Sequence, residues 1–233
     1  MMWPTEPAEL VSLQRELARE TPAPWTPPSD CLVAGCWVCF PRGLTGPGEA
    51  GDPAWAAAVV MHGRRVVGRC VLDGRASAPY VPGMLALRLG PLLEDLVRRL
   101  VPAPDVLLLD ATGRDHPRRA GFALHLGATL DLPTVGVTHR PLVAVGDWPS
   151  DERGATSPLT IGGEQVAAWL RSRQGTRPLV VHPGWRADVD AAVEVVRTSL
   201  AGHRTPEPLR IARQAARRAR AAGVPTGKIS GAR

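Results

Sequence analysis

Apolar residues recur along the chain first with the period of a helix and then with that of β-strands. Leu10, Leu13 and Leu17 lie on one face of an amphipathic helix predicted over residues 7–19. A Pro-rich connector ends this helix before residue 29, and three strand-like segments follow it. The predicted strands are residues 31–40, 55–61 and 66–72, with a Gly- and Pro-rich loop at 41–53 that we expect to be mobile and a hairpin turn at 62–65.

Beyond residue 80, short apolar strands alternate with longer helical segments. An antiparallel meander followed by such an alternation predicts a mixed sheet with helices on both faces. The predicted class is therefore α/β, with a ribonuclease-H-like order of elements. The predicted helices are residues 84–101, 117–129, 187–200 and 206–222, and the predicted strands are residues 106–110, 134–138 and 178–182.

The chain divides into three parts without an internal repeat or a second domain. Its 233 residues are within the range of one domain. We assign residues 1–28 to the N-terminal helix and the Pro-rich connector, residues 29–223 to the α/β domain, and residues 224–233 to a basic, flexible tail.

The composition indicates a soluble globular protein, with 44% hydrophobic and 21% charged residues. No apolar run reaches the roughly 18 residues that cross a bilayer, and the N-terminus lacks the basic and apolar regions of a signal peptide. We therefore expect a cytoplasmic protein without a membrane partner. The net charge of +6 is concentrated beyond residue 203, where it is compatible with phosphate binding and equally with a solvated surface.

Four cysteines are present, and in a cytoplasmic protein they are expected to be thiols. Cys36 and Cys39 form a C-x-x-C pattern within a predicted strand. Residues i and i+3 of a strand point to opposite faces, so this pair is not expected to share a metal ion.

Several segments carry Gly, Pro and polar residues in an order that matches a known family. Tyr80, Val81, Pro82 and Gly83 directly precede the helix predicted from residue 84. Further matching segments are residues 110–127, 132–137 and 206–210, with a weaker match at 182–184. From about residue 31 to residue 215, the chain resembles the endonuclease V family.

The resemblance implies a ribonuclease-H-like fold and recognition of a deaminated base, usually hypoxanthine, in nucleic acid. The Tyr-x-Pro-Gly strip of the family acts as a wedge beside this base, which is flipped into a pocket. In this chain the ring of Tyr80 would stack where the base stood, and Pro82 would stiffen the strip. Gly83 and Gly113 would let the backbone approach the base. The cations expected to contact phosphates are Arg118, Arg119, Arg210 and those of the tail.

Members of this family cut the strand with Mg²⁺ that acidic side chains hold. One carboxylate follows Ala-Gly-x in the first strand, where this chain has Trp37. The second follows the Arg of the wedge helix, where this chain has Leu89. Only the third, Asp110, is retained, and a single carboxylate binds Mg²⁺ weakly. The resemblance therefore predicts a depleted Mg²⁺ site, with Asp115 as the candidate for a replacement carboxylate and no other cofactor.

Three further family positions also differ. A Lys after the Gly-Val-Ala strand is replaced by His139, a His of the last helix by Arg213, and the His of a Ser-Pro-Gly-His turn by Trp185. Two other histidines have structural interpretations: His116 suits a scaffold residue bonded to backbone, and His125 is expected to face away from the site.

Three functions are compatible with these residues. The first is a protein that recognises inosine-containing DNA or RNA with little or no cleavage. The second is a repurposed, metal-independent enzyme for a nucleoside or another small molecule. Acid–base work would then be done by Asp110, Asp115, His116 and His139, with His182 as a further candidate and Cys36 or Cys39 nearby. The third is an atypical but active deoxyinosine 3′ endonuclease. The sequence leaves open which of these holds, and it leaves the oligomeric state open as well.

Overall fold

The computed structural model describes residues 2–43 and 46–223, together with the backbone of Lys228 and Ile229. Over this part of the chain, nine strands form one mixed sheet in the order β6-β7-β8-β5-β4-β1-β2-β3-β9. The strands are β1 Leu32–Cys39, β2 Pro53–His62, β3 Arg65–Arg75, β4 Val106–Leu109, β5 Thr134–Thr138, β6 Thr156–Ile161, β7 Glu164–Leu170, β8 Leu179–Pro183 and β9 Lys228–Ile229. The helices are α1 Pro7–Leu17, α2 Leu85–Arg98, α3 Phe122–Leu130, α4 Val189–Thr198 and α5 Glu207–Ala222.

The first three long strands form the predicted antiparallel meander. β2 and β3 are joined by a two-residue turn in which Gly63 has a positive φ of 56°. β1 then pairs in parallel with β4, and β4 pairs in parallel with β5. This mixture of antiparallel and parallel pairing confirms the predicted sheet type.

Helices cover both faces of the sheet, as predicted. Alternate residues of β4 divide between two cores: Leu107 and Leu109 pack toward α2 and α3, whereas Val106 and Leu108 pack toward α4 and α5. Gly35 of β1 allows α5 to approach closely, since an added Cβ would lie 2.4 Å from the carbonyl carbon of Pro208. α5 therefore runs directly across β1 and β2.

One pair of strands was absent from the sequence prediction. β6 and β7 form a hairpin that extends the sheet beyond β8. Gly162 and Gly163 form its turn, both with positive φ. A Gly-Gly pair between two alternating segments is a recognised hairpin signal, so this element was predictable from the residues.

The loop predicted at residues 41–53 makes several contacts over its described part, residues 41–43 and 46–52. Asp52 forms an ion pair with Arg88 of α2 at 2.8 Å, and Gly48 accepts a hydrogen bond from the backbone of Tyr80. These contacts tie this segment to the strip that precedes α2, so the described part does not behave as a free insertion.

The predicted tail, residues 224–233, lies outside the described residues except for β9, which pairs with Cys70 and Val71 of β3. None of the helices in the described residues is long and apolar enough to cross a membrane. All four cysteines are free.

Candidate nucleic-acid interface

A cavity of about 350 Å³ opens at the ends of β1 and β4. Cys36 pairs with Leu109 in parallel register, so the next residues, Trp37 and Asp110, lie on neighbouring strands at the same level. Leu89 of α2 lines the same cavity. The three positions at which the resemblance implies metal-ligating carboxylates are therefore brought together. The other walls are mostly apolar and include Phe40, Tyr80, Leu85 and Phe122.

Asp110 follows β4 directly, and solvent in the cavity reaches its carboxylate. The surrounding protein disfavours the charged form and raises the pKa of this carboxyl to about 6, an effect that the positive charge of Arg213 opposes. Burial, and then the charge of Asp110, raise the pKa of the Cys36 thiol to about 12. Cys36 is therefore protonated at neutral pH, which argues against a thiolate nucleophile in this cavity.

Trp37 places an aromatic ring where the resemblance implies the first carboxylate. The half-buried ring packs against Ala57 of β2 and Ala216 of α5. The guanidinium carbon of Arg213 lies over this ring, 5.4 Å from its centroid. A cation over an indole face is held by electrostatic attraction. Two of the departures from the family pattern therefore contact each other beside Asp110.

The donors of this cavity do not fit Mg²⁺. The ion requires an octahedral set of oxygen ligands and gives up water reluctantly, whereas Trp37 and Leu89 offer no oxygen and Asp110 is a single carboxylate. Across residues 2–43 and 46–223, no three His, Cys, Asp or Glu side chains are arranged to hold a metal ion.

The predicted wedge strip is presented to solvent and held from behind. Tyr80 and Val81 are neighbours in the strip and are 44% and 46% exposed. The carbonyl of Gly83, whose φ is +76°, accepts three hydrogen bonds. Its donors are Gln14 Nε2 at 3.1 Å, His116 Nε2 at 3.2 Å and Arg118 Nη2 at 2.9 Å. This anchor fixes one end of the strip while leaving its tip free.

A second cavity, of about 150 Å³, lies between the strip and the loop that follows β4. Ala111 and Thr112 of that loop line it, together with Thr138 and Leu142. Tyr80, Leu85 and Phe122 line both this cavity, which we call the wedge cavity, and the cavity at Asp110, so the two are neighbours.

Two residues assigned to the site from sequence serve this anchor instead. His116 is buried and uses both ring nitrogens, since Nδ1 also accepts from the backbone of Arg118. Burial lowers its pKa to about 4, helped by the charge of Arg118. The scaffold interpretation therefore describes His116 better than an acid–base role. Arg118 likewise donates hydrogen bonds to Gln14 Oε1 and to the Gly83 carbonyl. Its guanidinium therefore holds the strip in place, and these donors are not free for the phosphate contact expected from the sequence.

Asp115 is also placed differently from its predicted role as a replacement ligand. It is fully buried, and its carboxylate accepts three backbone hydrogen bonds at 2.8 Å from Leu142, Val143 and Ala144. Its oxygens are thus engaged in holding the segment after β5. The sequence around residue 115 carries no signal of these partners, because they come from about 30 residues further along the chain.

Replacing Asp115 by Asn is expected to destabilise the fold by about 2–4 kcal/mol, since an amide would point donors at backbone N–H groups in a buried site. Thermal or urea unfolding measures this change. Unaltered stability combined with loss of an activity would instead restore Asp115 as a functional residue.

His182 forms a buried polar contact beside Asp115. Its Nε2 lies 2.8 Å from the hydroxyl of Thr138, and its Nδ1 lies 3.8 Å from Asp115 Oδ2. Burial lowers the pKa of His182, against the opposing charge of Asp115. His125 is buried against Trp3, with ring centroids 4.6 Å apart, and neither of its nitrogens has a partner among the described residues. It lines neither of these two cavities.

The remaining predicted residues divide between the interface and the scaffold. His139 is exposed after β5, and its pKa is lowered by partial burial and by the charges of Arg204 and Arg213. Gly113 is packed against β8, since an added Cβ would meet the Pro183 carbonyl oxygen at 2.0 Å. Arg210 is engaged by Glu207. The charge of Arg213 therefore acts on His139, whereas Gly113 and Arg210 serve packing and a local ion pair.

Sequence reasoning missed two residues that shape the interface. Gln14 reaches from α1 to the strip, although the helical pattern identified only its apolar neighbours. Arg88 is buried and donates to the carbonyls of Glu49 and Ala78, besides its ion pair with Asp52. A basic residue within an apolar helix face was the available signal for Arg88.

Comparison with known proteins agrees with this architecture. The family model of endonuclease V matches residues 17–214. The endonuclease V of Roseiflexus sp. strain RS-1 is 41% identical over 71% of this chain and 75% of its own. The crystal structure of endonuclease V from Streptomyces avermitilis is similar, with a TM-score of 0.84 at 33% identity, covering 95% of this chain and 96% of that chain.

A further structure shares the fold alone. Endonuclease V of Ciona intestinalis, crystallised with a 24mer DNA containing an inosine followed by a ribo-adenosine, has a TM-score of 0.78 at 22% identity, covering 93% of this chain and 98% of that chain.

The sheet order, the helices on both faces and the cavity at the strand ends define an α/β protein of the ribonuclease-H-like class. The chain belongs to the endonuclease V family.

Proposed function

We propose that this chain recognises deaminated, inosine-containing nucleic acid and cleaves it little or not at all. One observation carries the proposal: Trp37, Leu89 and Asp110 line a single cavity, so only one of the three positions offers a carboxylate. Metal-assisted cleavage of a phosphodiester needs several anionic oxygens around the ion.

Retention of the wedge supports the recognition part of the proposal. The exposed Tyr80 ring stands over a cavity of about 150 Å³, and three donors hold the strip at Gly83. A rigid aromatic strip loses little entropy on insertion into a base stack. The Ciona relative was crystallised with inosine-containing DNA, which supports the same ligand class for this chain.

End-labelled single- and double-stranded oligonucleotides carrying one deoxyinosine test the proposal. Each would be incubated with Mg²⁺, Mn²⁺ or chelator and scored for cutting and for mobility shift. We expect a shift that survives chelator and prefers deoxyinosine over deoxyadenosine, with no cutting above background. Tyr80→Ala is expected to weaken this preference about tenfold or more, as the loss of a base–aromatic stack does, whereas Tyr80→Phe retains it.

Two other outcomes would point to the alternatives. Cutting that requires metal would mean an active, atypical endonuclease and would refute the proposal. Absence of both shift and cutting would favour a metal-independent enzyme for a nucleoside or another small molecule. For that alternative, the raised pKa of Asp110, about 6, supplies a group able to exchange protons near neutral pH.

A further inference from the structure

We infer that the cavity at Asp110 binds a nucleic-acid phosphate through Arg213, so that a fixed guanidinium supplies the positive charge that a metal ion supplies in the family. This inference rests on the proposed function, because it assigns a phosphate contact within the same interface. It concerns a residue that the sequence marks only as a departure from the family pattern.

Arg213 is a half-buried cation with unused hydrogen-bonding capacity. On α5, Arg210 pairs with Glu207, and Arg220 donates to the Phe40 carbonyl. Among the described residues, Arg213 has no hydrogen bond or ion pair, and its recorded side-chain contact is the Trp37 ring. Partly buried charges are costly without a partner, so an anion at this point would stabilise the arrangement.

Contact with Trp37 prepares the guanidinium for an anion. The ring supports one side of the group, while the N–H donors of a guanidinium lie in its own plane and point outward. Such a fork matches two oxygens of a phosphate in bidentate geometry. Because Trp37 restricts the side chain before binding, less rotamer entropy is lost when the anion arrives.

The surroundings of Arg213 are positively charged on two sides. The charges of Arg213 and Arg204 both lower the pKa of His139. Burial raises the pKa of the Cys39 thiol at the end of β1, and the positive charges of three arginines oppose this effect. These arginines are Arg220, Arg217 and Arg213. Arg213 does not line the cavity itself, but it lies over Trp37, which does, and its charge acts on Asp110. The summed field of these guanidinium groups attracts a polyanion.

The shape of the cavity suits a phosphate that is part of a nucleotide chain. Its volume of about 350 Å³ falls at the lower end of the roughly 300–1,000 Å³ typical of ligand sites. Apolar walls from Phe40, Leu85 and Phe122 can face a sugar or a base, and Tyr80 lines both this cavity and the wedge cavity. A wedge at one step of the strand thus lies next to a phosphate site at a neighbouring step.

Substitution of Asp110 distinguishes a phosphate site formed by a guanidinium from one formed by a bound metal ion. In a metal site this carboxylate attracts the ion that bridges to the phosphate, so Asp110→Asn would weaken binding. In a guanidinium site the same carboxylate repels the phosphate, so Asp110→Asn is expected to strengthen binding. The two arrangements predict opposite signs for one conservative change.

The test measures binding by fluorescence anisotropy, with a labelled single-stranded oligonucleotide carrying one deoxyinosine and with its deoxyadenosine twin. The Arg213 variants are compared in chelator, and Asp110→Asn is compared with the natural chain both in Mg²⁺ and in chelator. Arg213→Gln is expected to weaken binding of both about tenfold and to reduce the slope of log affinity against log salt by about 1. Arg218→Gln removes an exposed charge from the same helix and is the matched control, with a change below about twofold. Arg213→Lys is expected to retain part of the affinity, and thermal unfolding of each variant controls for folding.

Each result bears on one claim. Equal effects of Arg213→Gln and Arg218→Gln would overturn the inference, and so would weaker binding by Asp110→Asn. If both oligonucleotides bind equally but depend on Arg213, the phosphate site stands and base recognition fails. If deoxyinosine is preferred without dependence on Arg213, base recognition stands and the phosphate site fails. Displacement of the oligonucleotide by an equal concentration of inosine monophosphate would reassign the cavity to a free nucleotide and overturn the inference.

Discussion

Substituting Trp37→Asp, Leu89→Glu and Arg213→His together is expected to create Mg²⁺-dependent cutting of deoxyinosine-containing strands, at least about 100-fold above the rate of the natural chain. The reason is geometric: the register of β1 with β4 and the position of α2 place residues 37, 89 and 110 around one cavity. Three carboxylates there would share one ion, and such an ion contributes several kcal/mol of charge stabilisation. Arg213 must leave, since its charge would oppose a divalent cation.

Gel assays of the triple variant, with Mg²⁺, Mn²⁺ and chelator, measure the gain. Adding Asp110→Asn to the triple variant supplies the control and should abolish the gained cutting. Calorimetric titration with Mn²⁺ separates metal binding from chemistry, and circular dichroism verifies folding. A natural chain that already cuts as fast as the variant would contradict the depleted site. A folded variant that binds metal without cutting would assign the remaining loss to another position, of which His139 is the first candidate.

The sequence predicted the sheet better than it predicted the site. Strand β5 has the predicted bounds, residues 134–138, and the predicted strand segments of the meander correspond to β1, β2 and β3. Such elements are encoded locally, because short apolar runs bounded by turn residues indicate strands. Even the missed β6–β7 hairpin carries a local signal in Gly162 and Gly163.

The site depends on contacts between distant segments, which local patterns do not encode. Asp115 lies directly between Arg114 and His116, so in the sequence it looked like part of a catalytic group. Its partners are backbone N–H groups of residues 142–144. In the same way, His116 and Arg118 donate hydrogen bonds to the carbonyl of Gly83, which lies more than thirty residues earlier in the chain.

Trp37 and Arg213 illustrate what the resemblance alone could not provide. Each was recognisable as a departure from the family pattern, but their contact required the packing of α5 across β1. The contact changes how the departures are interpreted. A cavity that lost two ligands at random would be expected to keep scattered polar residues, whereas here an aromatic ring and a cation are packed together beside the retained carboxylate.

Acidification is expected to unfold the protein at moderately low pH, because three buried histidines must stay neutral in the folded state. Burial lowers the pKa of His116, His125 and His182 to about 4, against about 6.5 in an unfolded chain. The unfolded state therefore takes up protons first, and stability is lost as pH falls from about 6.5 to about 4 and levels off below that. Each shift corresponds to about 3 kcal/mol at most, which is a large share of the stability of a domain.

Urea unfolding between pH 7.5 and 4 measures this loss, and one histidine isolates its cause. His125 is the clearest case, since both of its ring nitrogens lack partners among the described residues and it packs on Trp3. His125→Leu is expected to raise the free energy of unfolding at pH 7 by about 1 kcal/mol, since it removes unsatisfied buried nitrogens. It should also lower the number of protons taken up on unfolding by one, so that the free energy of unfolding falls less steeply with decreasing pH. His203→Gln, which removes a histidine from an exposed position, is the control for substitution of a histidine outside the core. An acid limb that persists in full in the His125→Leu variant would show that His125 already has a proton acceptor in solution, because only a satisfied imidazole can titrate normally inside the fold.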